Sequence, residues 1–361
     1  MRHLRPILLL ALLSACTARR ESATPRAADS SATSGANSSA AAGELLYVSN
    51  EDSRNVSVID PATNAVVATI EVGTRPRGVK VSPDGRTVYV ALSGSPKCPP
   101  TMPDAECAKK IPDRKLDGIA VVDVASRKTT KVLPAGLDPE AFDVSADGST
   151  LFVSNEDADS LTIVDIASGR ARSNVAVGRE PEGVTVAPDG RTVWVTSEGN
   201  NEVTVVDVAS GKALAQISTG GKRPRAIAFA PDGSKAYVTN ETTGSVAVID
   251  PATHTLRHTI ALPQGARSMG IVVSRDGSRA YVSNGRHGTV SVIDVARDSV
   301  LTTVQVGVRP WGIALTPDGS TLYTANGPGN DVSVVKTSTM QVVHRIPAGV
   351  SPWGAALGAK P

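Results

Sequence analysis

The sequence predicts an all-β protein, a seven-bladed β-propeller closed by pairing of its N- and C-terminal strands. An aromatic residue recurs seven times in a Y-V-[ST]-N-like tetrapeptide, at Tyr47, Tyr89, Phe152, Trp194, Tyr237, Tyr281 and Tyr323. Successive aromatic positions lie 42 to 44 residues apart, with one longer interval of 63. A unit of this length holds four short strands, cannot bury both faces alone and must stack on its neighbours. Seven such units close into a ring.

Two further repeat positions carry aspartate. An Asp-Gly turn precedes the aromatic strand in six units, and its glycine supplies the positive φ of a tight hairpin between the first and second strands. An aspartate also ends the third strand in six units, with Lys336 in the seventh place. Short acidic side chains at strand ends bond the backbone of their own turn, so we interpret these aspartates as structural rather than catalytic. The strand-end aspartates are Asp60, Asp123, Asp165, Asp207, Asp250 and Asp294.

The innermost strand of each unit begins with Pro-x-Gly or a variant of it, such as Pro76-Arg77-Gly78. Strands near the axis are crowded, so a small third residue lets their backbones approach closely. Residues 45 to 72 supply only the second, third and fourth strands of a unit, and the missing first strand appears at residues 352 to 357. One blade is therefore expected to combine both ends of the chain, which leaves no open sheet edge.

These motifs resemble the YVTN-repeat β-propeller family of bacterial exported proteins, over about residues 45 to 358. The resemblance implies the propeller fold. It does not choose a function, because related propellers include haem-binding domains, lactonases, surface antigens and nucleic-acid binders.

The N-terminus predicts export and lipidation. A basic start and an apolar run at residues 7 to 13, too short to span a bilayer, lead into Leu13-Ser14-Ala15-Cys16, which looks like a lipoprotein cleavage box. We assign residues 1–15 to a lipoprotein signal peptide, residues 16–43 to the lipidated Cys16 and a disordered Ser/Ala/Thr-rich tether, and residues 44–361 to the propeller. The alternative is an ordinary signal peptide cut near Ala15 or Ala18. Thr17 in place of aspartate favours the outer membrane over the inner one, with the propeller facing the periplasm.

Cysteine and charge content limit the possible ligands. With Cys16 assigned to lipid, Cys98 and Cys107 remain as a predicted disulfide in an oxidising compartment. We expect no metal site and no cofactor, because the chain has no C-x-x-C pair and its five histidines are scattered. Lys and Arg total 37 against 35 Asp and Glu, and loss of Arg2 and Arg5 with the signal peptide leaves 35 against 35, so no basic excess indicates nucleic-acid binding. We expect a monomer.

One face of the ring is the functional candidate. The loops after the second strand and the links into each first strand share this face and vary between units, whereas the Asp-Gly hairpins on the other face are uniform. The middle residue of each Pro-x-Gly is expected nearest the channel mouth, and the series reads Arg77, Glu140, Glu182, Arg225, Met269, Trp311 and Trp353. Two residues earlier it reads Arg75, Asp138, Glu180, Arg223, Arg267, Arg309 and Ser351.

The candidate ligand-binding residues at this mouth are Arg77, Asp138, Glu140, Glu180, Glu182, Arg225, Trp311 and Trp353. Their carboxylates lie on adjacent blades opposite the tryptophans, and an organic cation or Ca²⁺ suits such a set. Further acidic residues, Glu51, Asp52, Glu156, Asp157, Glu198 and Glu241, are expected outside them. In the alternative, Arg77 neutralises Glu140, Arg225 neutralises Glu182, and tryptophan plugs the channel.

The interval of 63 residues places an insertion in the second blade, at about residues 93–117, on the mouth face. Its five prolines and the Cys98–Cys107 pair suggest a lid or a docking arm, because long loops without a repeat pattern are usually functional. Its frame resembles YVTN propellers associated with quinone-cofactor-dependent alcohol oxidation. The resemblance rests on Ser93-Gly94-Ser95-Pro96, Pro112-Asp113-Arg114 and Asp117-Gly118, together with Ser154-Asn155-Glu156-Asp157.

Sequence motifs for catalysis are missing: the chain has no G-x-S-x-G elbow, H-E-x-x-H helix or P-loop. The main prediction is therefore a non-enzymatic, lipid-anchored propeller that binds a periplasmic protein or a small ligand at its mouth. The alternative is a lactonase-like or quinone-cofactor-associated enzyme that uses mouth carboxylates as base and Arg77 or Arg225 to stabilise an oxyanion.

Overall fold

The computed structural model describes residues 43–98, 102–107 and 109–360, and these contain 28 strands in seven four-stranded sheets. In chain order the strands are β1 (Glu44–Asn50), β2 (Asn55–Asp60), β3 (Ala65–Glu71), β4 (Pro76–Val81), β5 (Thr87–Leu92), β6 (Gly118–Asp123), β7 (Lys128–Leu133), β8 (Pro139–Val144), β9 (Thr150–Asn155), β10 (Ser160–Asp165), β11 (Arg170–Ala176), β12 (Pro181–Val186), β13 (Thr192–Ser197), β14 (Glu202–Asp207), β15 (Lys212–Ser218), β16 (Pro224–Phe229), β17 (Ala236–Asn240), β18 (Ser245–Asp250), β19 (Thr255–Ala261), β20 (Ser268–Val273), β21 (Arg279–Asn284), β22 (Thr289–Asp294), β23 (Ser299–Gln305), β24 (Pro310–Leu315), β25 (Thr321–Asn326), β26 (Asp331–Lys336), β27 (Gln341–Pro347) and β28 (Pro352–Ala359).

Blade 1 closes the ring as the sequence predicts. Its sheet has the order β28-β1-β2-β3, so the last strand of the chain pairs antiparallel with the first, Glu44 opposite Ala359 and Tyr47 opposite Ala356. Blades 2 to 7 each use four consecutive strands, from β4–β7 to β24–β27. The seven-bladed propeller fold is thereby confirmed.

The Y-V-[ST]-N motif lies on the second strand of each blade and fastens it in two ways. Its aromatic side chain is at most 5 % exposed in all seven blades and packs in the apolar layers between blades. In five blades the Ser or Thr hydroxyl of the motif donates a hydrogen bond of 2.5 to 2.8 Å to the carbonyl of the middle Pro-x-Gly residue in the next blade. This second contact is not evident from the repeat alone. It fixes the backbone of residues that point into the channel mouth.

Glycine in the Pro-x-Gly motif permits close approach of the innermost strands. A Cβ atom on Gly183 would lie 2.1 Å from the carbonyl oxygen of Arg225, and one on Gly312 would lie 2.5 Å from that of Trp353. Any larger side chain there would push neighbouring blades apart. The narrow channel therefore depends on these glycines.

The repeated aspartates are structural, as predicted. Each strand-end aspartate accepts a backbone hydrogen bond of 2.7 to 2.9 Å from its own turn. The six Asp-Gly turns have glycine φ values of 68° to 73°, the left-handed region that glycine tolerates best.

The insertion between β5 and β6 contains helix α1 (Asp104–Cys107) and a 3₁₀ turn (Arg114–Leu116). A second 3₁₀ turn, Glu156–Ala158, follows β9. The predicted signal peptide, Cys16 and most of the tether lie outside the described residues. Among the residues that are described, no helix is long and apolar enough to cross a membrane.

Candidate active site

Four glutamates stand at one repeat position on the mouth face, directly after the Y-V-[ST]-N motif: Glu51, Glu156, Glu198 and Glu241. The backbone N–H of each donates a hydrogen bond of 2.8 to 3.0 Å to the carbonyl of the residue that precedes a Pro-x-Gly motif. Those acceptor residues have φ values of 52° to 57°, a left-handed conformation that is uncommon away from glycine. The shape of each link thus brings a glutamate toward the mouth.

Arg77 is the centre of a first cluster, which we call the Arg77 cluster. Its guanidinium contacts the carboxylate of Glu140, and its Nη1 atom lies 3.3 Å from Glu156 Oε2 and 3.6 Å from Asp138 Oδ1. Its Nε atom lies 3.9 Å from Glu51 Oε1. Arg77, Asp138, Glu140 and Glu51 are all buried. One cation from blade 2 therefore compensates carboxylates of blades 1 and 3.

Arg225 is the centre of a second cluster, the Arg225 cluster. Its guanidinium contacts Glu182 and lies 3.1 Å from Glu198 Oε2 and 2.9 Å from Glu241 Oε2. Arg223 also contacts the carboxylate of Glu198. Glu182 and Glu198 are buried, whereas Arg225 is partly exposed. This cluster joins blades 4 and 5.

Two glutamates of these clusters have strongly raised pKa values. Burial, followed by the negative charge of Glu182, raises the pKa of Glu156 to about 7. Burial raises the pKa of Glu198 to about 8 against the attraction of Arg225 and Arg223, and the negative charge of Glu182 adds to the rise. Burial also acts on Glu241, but three arginines hold its pKa below the ordinary value. Carboxyl groups that titrate near neutral pH suit proton transfer.

Bulky apolar side chains form the opposite wall of the mouth. The rings of Trp311 and Trp353 meet edge to face, with centroids 6.0 Å apart and planes at 80°. The guanidinium of Arg309 lies over Trp311, 5.0 Å from the ring centre. Met269 continues this wall, and Gly285 makes room for it, since a Cβ atom there would lie 3.1 Å from Met269 Cγ. We call Met269, Trp311 and Trp353 the aromatic wall.

A cavity of about 210 Å³ occupies the channel below the mouth and is lined by residues of all seven innermost strands. Glu182 and Arg225 line this cavity together with the aromatic wall. Arg77 and Glu140 do not belong to its lining. Glu182 and Arg225 of the Arg225 cluster therefore face a half-open channel space that the tryptophans also line.

The candidate residues named from the sequence thus separate into groups. Asp138 and Glu140 join Arg77, Glu182 joins Arg225, and Trp311 packs on Trp353. Glu180 is exposed, so the predicted row of adjacent carboxylates is divided. Within the described part of the chain, no group of three or more His, Cys, Asp or Glu residues is arranged to hold a metal ion.

The acidic residues expected farther out, including Glu198 and Glu241, instead contact the arginines directly. Their shared position after the Y-V-[ST]-N motif is the signal that could have identified them.

The insertion docks beside the Arg77 cluster and contacts one of its members, Glu51. Lys97 Nζ lies 2.9 Å from Glu51 and 2.8 Å from Asp52, and Arg75 donates a 2.6 Å hydrogen bond to the carbonyl of Ser95. On the other side, Arg114 contacts the carboxylate of Asp157 in blade 3. The side chain of Cys107 lies outside the described residues, so its pairing with Cys98 remains a prediction.

Comparison with solved structures places this fold among many propellers. A periplasmic gluconolactonase of Pseudomonas aeruginosa is 22% identical, with 88% of this chain and 99% of that chain covered and a TM-score of 0.71. A Bacteroides fragilis protein provisionally described as a 6-phosphogluconolactonase is 18% identical over 88% of this chain and 98% of its own, with a TM-score of 0.69. Hydrazine synthase of Kuenenia stuttgartiensis is 21% identical over 78% and 89%, with a TM-score of 0.67. At these identities the likeness shows the fold alone. A search of curated proteins found no match.

Two family models match the sequence itself. The model of the seven-bladed β-propeller lactonases matches residues 177–343, a segment that contains the whole Arg225 cluster. This match overturns the prediction of a non-enzymatic binding module, and the findings support the lactonase-like alternative. The second model, the choice-of-anchor I domain, matches residues 37–223, which is just over half of the chain. The chain therefore belongs to the choice-of-anchor I domain family.

Proposed function

We propose that this propeller is a lactonase-type hydrolase that opens a cyclic ester at the channel mouth. The observation that carries the proposal is the position of the Arg225 cluster, which lies within the lactonase match and borders the channel cavity. A cationic donor next to carboxylates in an enclosed site supplies what ester hydrolysis needs, a base for water and a partner for the developing oxyanion.

The chemistry divides between the two residues that line the cavity. Glu182 accepts a proton from a water molecule, whose oxygen attacks the carbonyl carbon of the lactone. Arg225 stabilises the negative charge that develops on the carbonyl oxygen. The ring C–O bond then breaks, and the proton held by Glu182 passes to the leaving alkoxide. Lactone and water thus give a hydroxy acid.

Glu198 keeps the charge of this cluster in balance. With a pKa of about 8, its carboxyl group is mostly protonated at neutral pH. Arg225 is then paired with two ionised carboxylates, those of Glu182 and Glu241, instead of three. Its positive charge is therefore less completely compensated. Glu198 is a positioning residue in this scheme, because it acts through Arg225.

Hydrolysis of simple lactones by the mature chain tests the proposal. Acid release in a weakly buffered indicator assay is expected for at least one γ- or δ-lactone, and Glu182→Gln is expected to reduce kcat by 10² or more, at the scale of about 10² to 10⁴ for a general base. Glu71→Gln, an exposed change on β3, serves as the matched control. Equal activity of the Glu182→Gln and Glu71→Gln variants would contradict the proposal.

We also propose that the chain is a YVTN-repeat lipoprotein, held by a lipid on Cys16 in the outer membrane, monomeric and facing the periplasm. The cleavage box at residues 13–16 and the Ser/Ala/Thr-rich stretch after it support this placement. A narrower assignment, to propellers associated with quinone-cofactor-dependent oxidation, rests on the frame of the insertion. Cys16→Ser should move the protein from the membrane fraction to the soluble fraction with its melting temperature unchanged. Persistence of the variant in the membrane fraction would refute the lipid anchor.

A further inference from the structure

We infer that the substrate is a lactone that carries an alkyl or aryl substituent, and that this substituent occupies the channel cavity beside the aromatic wall. The inference rests on the proposed function and adds the chemical class of the substrate. It separates this site from one built for a polyhydroxylated sugar lactone.

The lining of the cavity is the first observation. Only four of its residues, Lys80, Glu182, Thr185 and Arg225, have polar side chains. The others are glycine, alanine, branched aliphatic residues, Phe142, Met269 and the two tryptophans. Ligand pockets with such walls bind apolar groups through area removed from water.

The four polar side chains are the second observation, because each already has a protein partner. This leaves the buried indole N–H of Trp311 as a side-chain donor of the described lining without a partner. Glu182 and Arg225 contact each other. Lys80 Nζ lies 3.1 Å from Asp143 Oδ1, and the Thr185 hydroxyl donates a 2.9 Å hydrogen bond to the carbonyl of Ile227. A sugar lactone would bring several hydroxyl groups into this space, and each hydroxyl enclosed without a partner is costly. The site is therefore poorly suited to a polyhydroxylated ring.

The volume of the cavity sets the size of the substituent. An apolar cavity of about 150 Å³ accommodates benzene, which has six carbon atoms. At 210 Å³ the channel has room for a substituent of roughly eight carbon atoms. The charged pair at the rim would hold the lactone ring while the substituent extends past Met269 and Trp353.

A series of γ-lactones with side chains of one to ten carbon atoms, compared with glucono-δ-lactone, tests this assignment. Each rate is divided by the uncatalysed rate of the same lactone. We expect kcat/KM to rise about fourfold for each added methylene group, from the free energy of burying one, and to level off near eight carbons. A flat or falling series, or a preference for glucono-δ-lactone, would overturn the inference and leave the proposed hydrolysis standing.

If no lactone is hydrolysed, the proposed function is refuted, but the inference about the substituent can still be tested by measuring lactone binding. The dissociation constants of the same γ-lactones for Glu182→Gln, measured by tryptophan fluorescence, should fall with chain length in the same way. Constants that do not depend on chain length would overturn the inference.

A matched pair of variants locates the substituent. Met269→Gln keeps the length of the side chain but adds a polar amide to the wall. The increase in kcat/KM for each added methylene group should therefore shrink to about twofold or less. Leu214→Gln makes the same kind of change on an outer strand, where Leu214 is 54% exposed, and should leave the series unchanged. An equal gain per methylene in both variants, with both folded by thermal melting, would place the substituent elsewhere.

Discussion

The Arg77 and Arg225 clusters are built from the same repeat positions yet differ in their surroundings. Each has an arginine in the middle of a Pro-x-Gly motif and glutamates that follow Y-V-[ST]-N. The side chain of Arg77 is 7% exposed, and the insertion contacts its partner Glu51 through Lys97. The side chain of Arg225 is 19% exposed and lines the cavity. Arg77 is thus buried beside the insertion, whereas Arg225 borders the channel cavity.

The difference shows that a charged mouth position is not by itself a site. A buried ion pair can be a structural joint between blades, and removal of one member leaves a charge without compensation. A similar pair beside an enclosed apolar space can act on a substrate. Under the proposed function the Arg225 cluster is catalytic and the Arg77 cluster structural, and the following predictions test that division.

The largest expected effect is on activity. Arg225→Met removes the partner of the oxyanion and should lower kcat/KM for the preferred lactone by about 10²- to 10³-fold. Arg77→Met should change kcat/KM of the folded enzyme less than about threefold. Both are measured well below the melting temperature of each variant. Comparable losses from the two substitutions would remove the functional distinction between the clusters.

For stability we expect the opposite ranking, with the larger loss from the substitution of Arg77. Arg77→Met leaves Glu140 and Asp138 buried without their shared cation, whereas Glu51 keeps Arg75 and Lys97, and the change should reduce the free energy of unfolding by about 3–5 kcal/mol. Urea denaturation measures this loss. Addition of Glu140→Met to Arg77→Met should recover part of it, because the double variant has one uncompensated buried charge fewer. A loss below about 1 kcal/mol would mean that the Arg77 cluster is not a structural joint.

The sequence predicted the ring and the residues at the mouth, but not which of the two arginine clusters borders the cavity. Aromatic residues and Asp-Gly turns recur because every blade has the same packing and turn requirements, so their period reveals the fold. Whether Arg77 or Arg225 faces the cavity depends on contacts between separate blades and on the insertion near Glu51, which no repeat records. The raised pKa of Glu198 likewise comes mainly from its burial in the folded protein, which the repeat does not record.

Two glutamates, Glu198 and Glu156, should also make the stability depend on pH. The pKa of Glu198 is raised from an ordinary 4.5 to about 8, so the folded protein holds a proton that the unfolded chain releases between these values. Its contribution to stability is therefore complete below about pH 4.5 and is lost as the pH rises to about 8. The corresponding contribution of Glu156, in the Arg77 cluster, is lost as the pH rises to about 7.

Melting temperatures between pH 5 and 9 measure this dependence. The Glu198→Gln variant should become more stable relative to the unmodified protein as the pH rises, up to about pH 8, and the Glu156→Gln variant up to about pH 7. Curves that run parallel to that of the unmodified protein across this range would show that neither carboxyl group titrates as described.

The smallest effect is expected at the rim of the Arg77 cluster, where the insertion meets blade 1. Asp52 lies 2.8 Å from Lys97 Nζ, and both side chains are 40% exposed. Solvent screens such a pair, so Asp52→Asn should lower the free energy of unfolding by less than about 1 kcal/mol and leave kcat/KM unchanged. Lys97 keeps its contact with buried Glu51 in this variant, which should hold the insertion in place. Urea denaturation beside the lactone assay checks both expectations. A large loss of activity from Asp52→Asn would instead make the insertion part of the active site, and the Arg77 side of the mouth would no longer be purely structural.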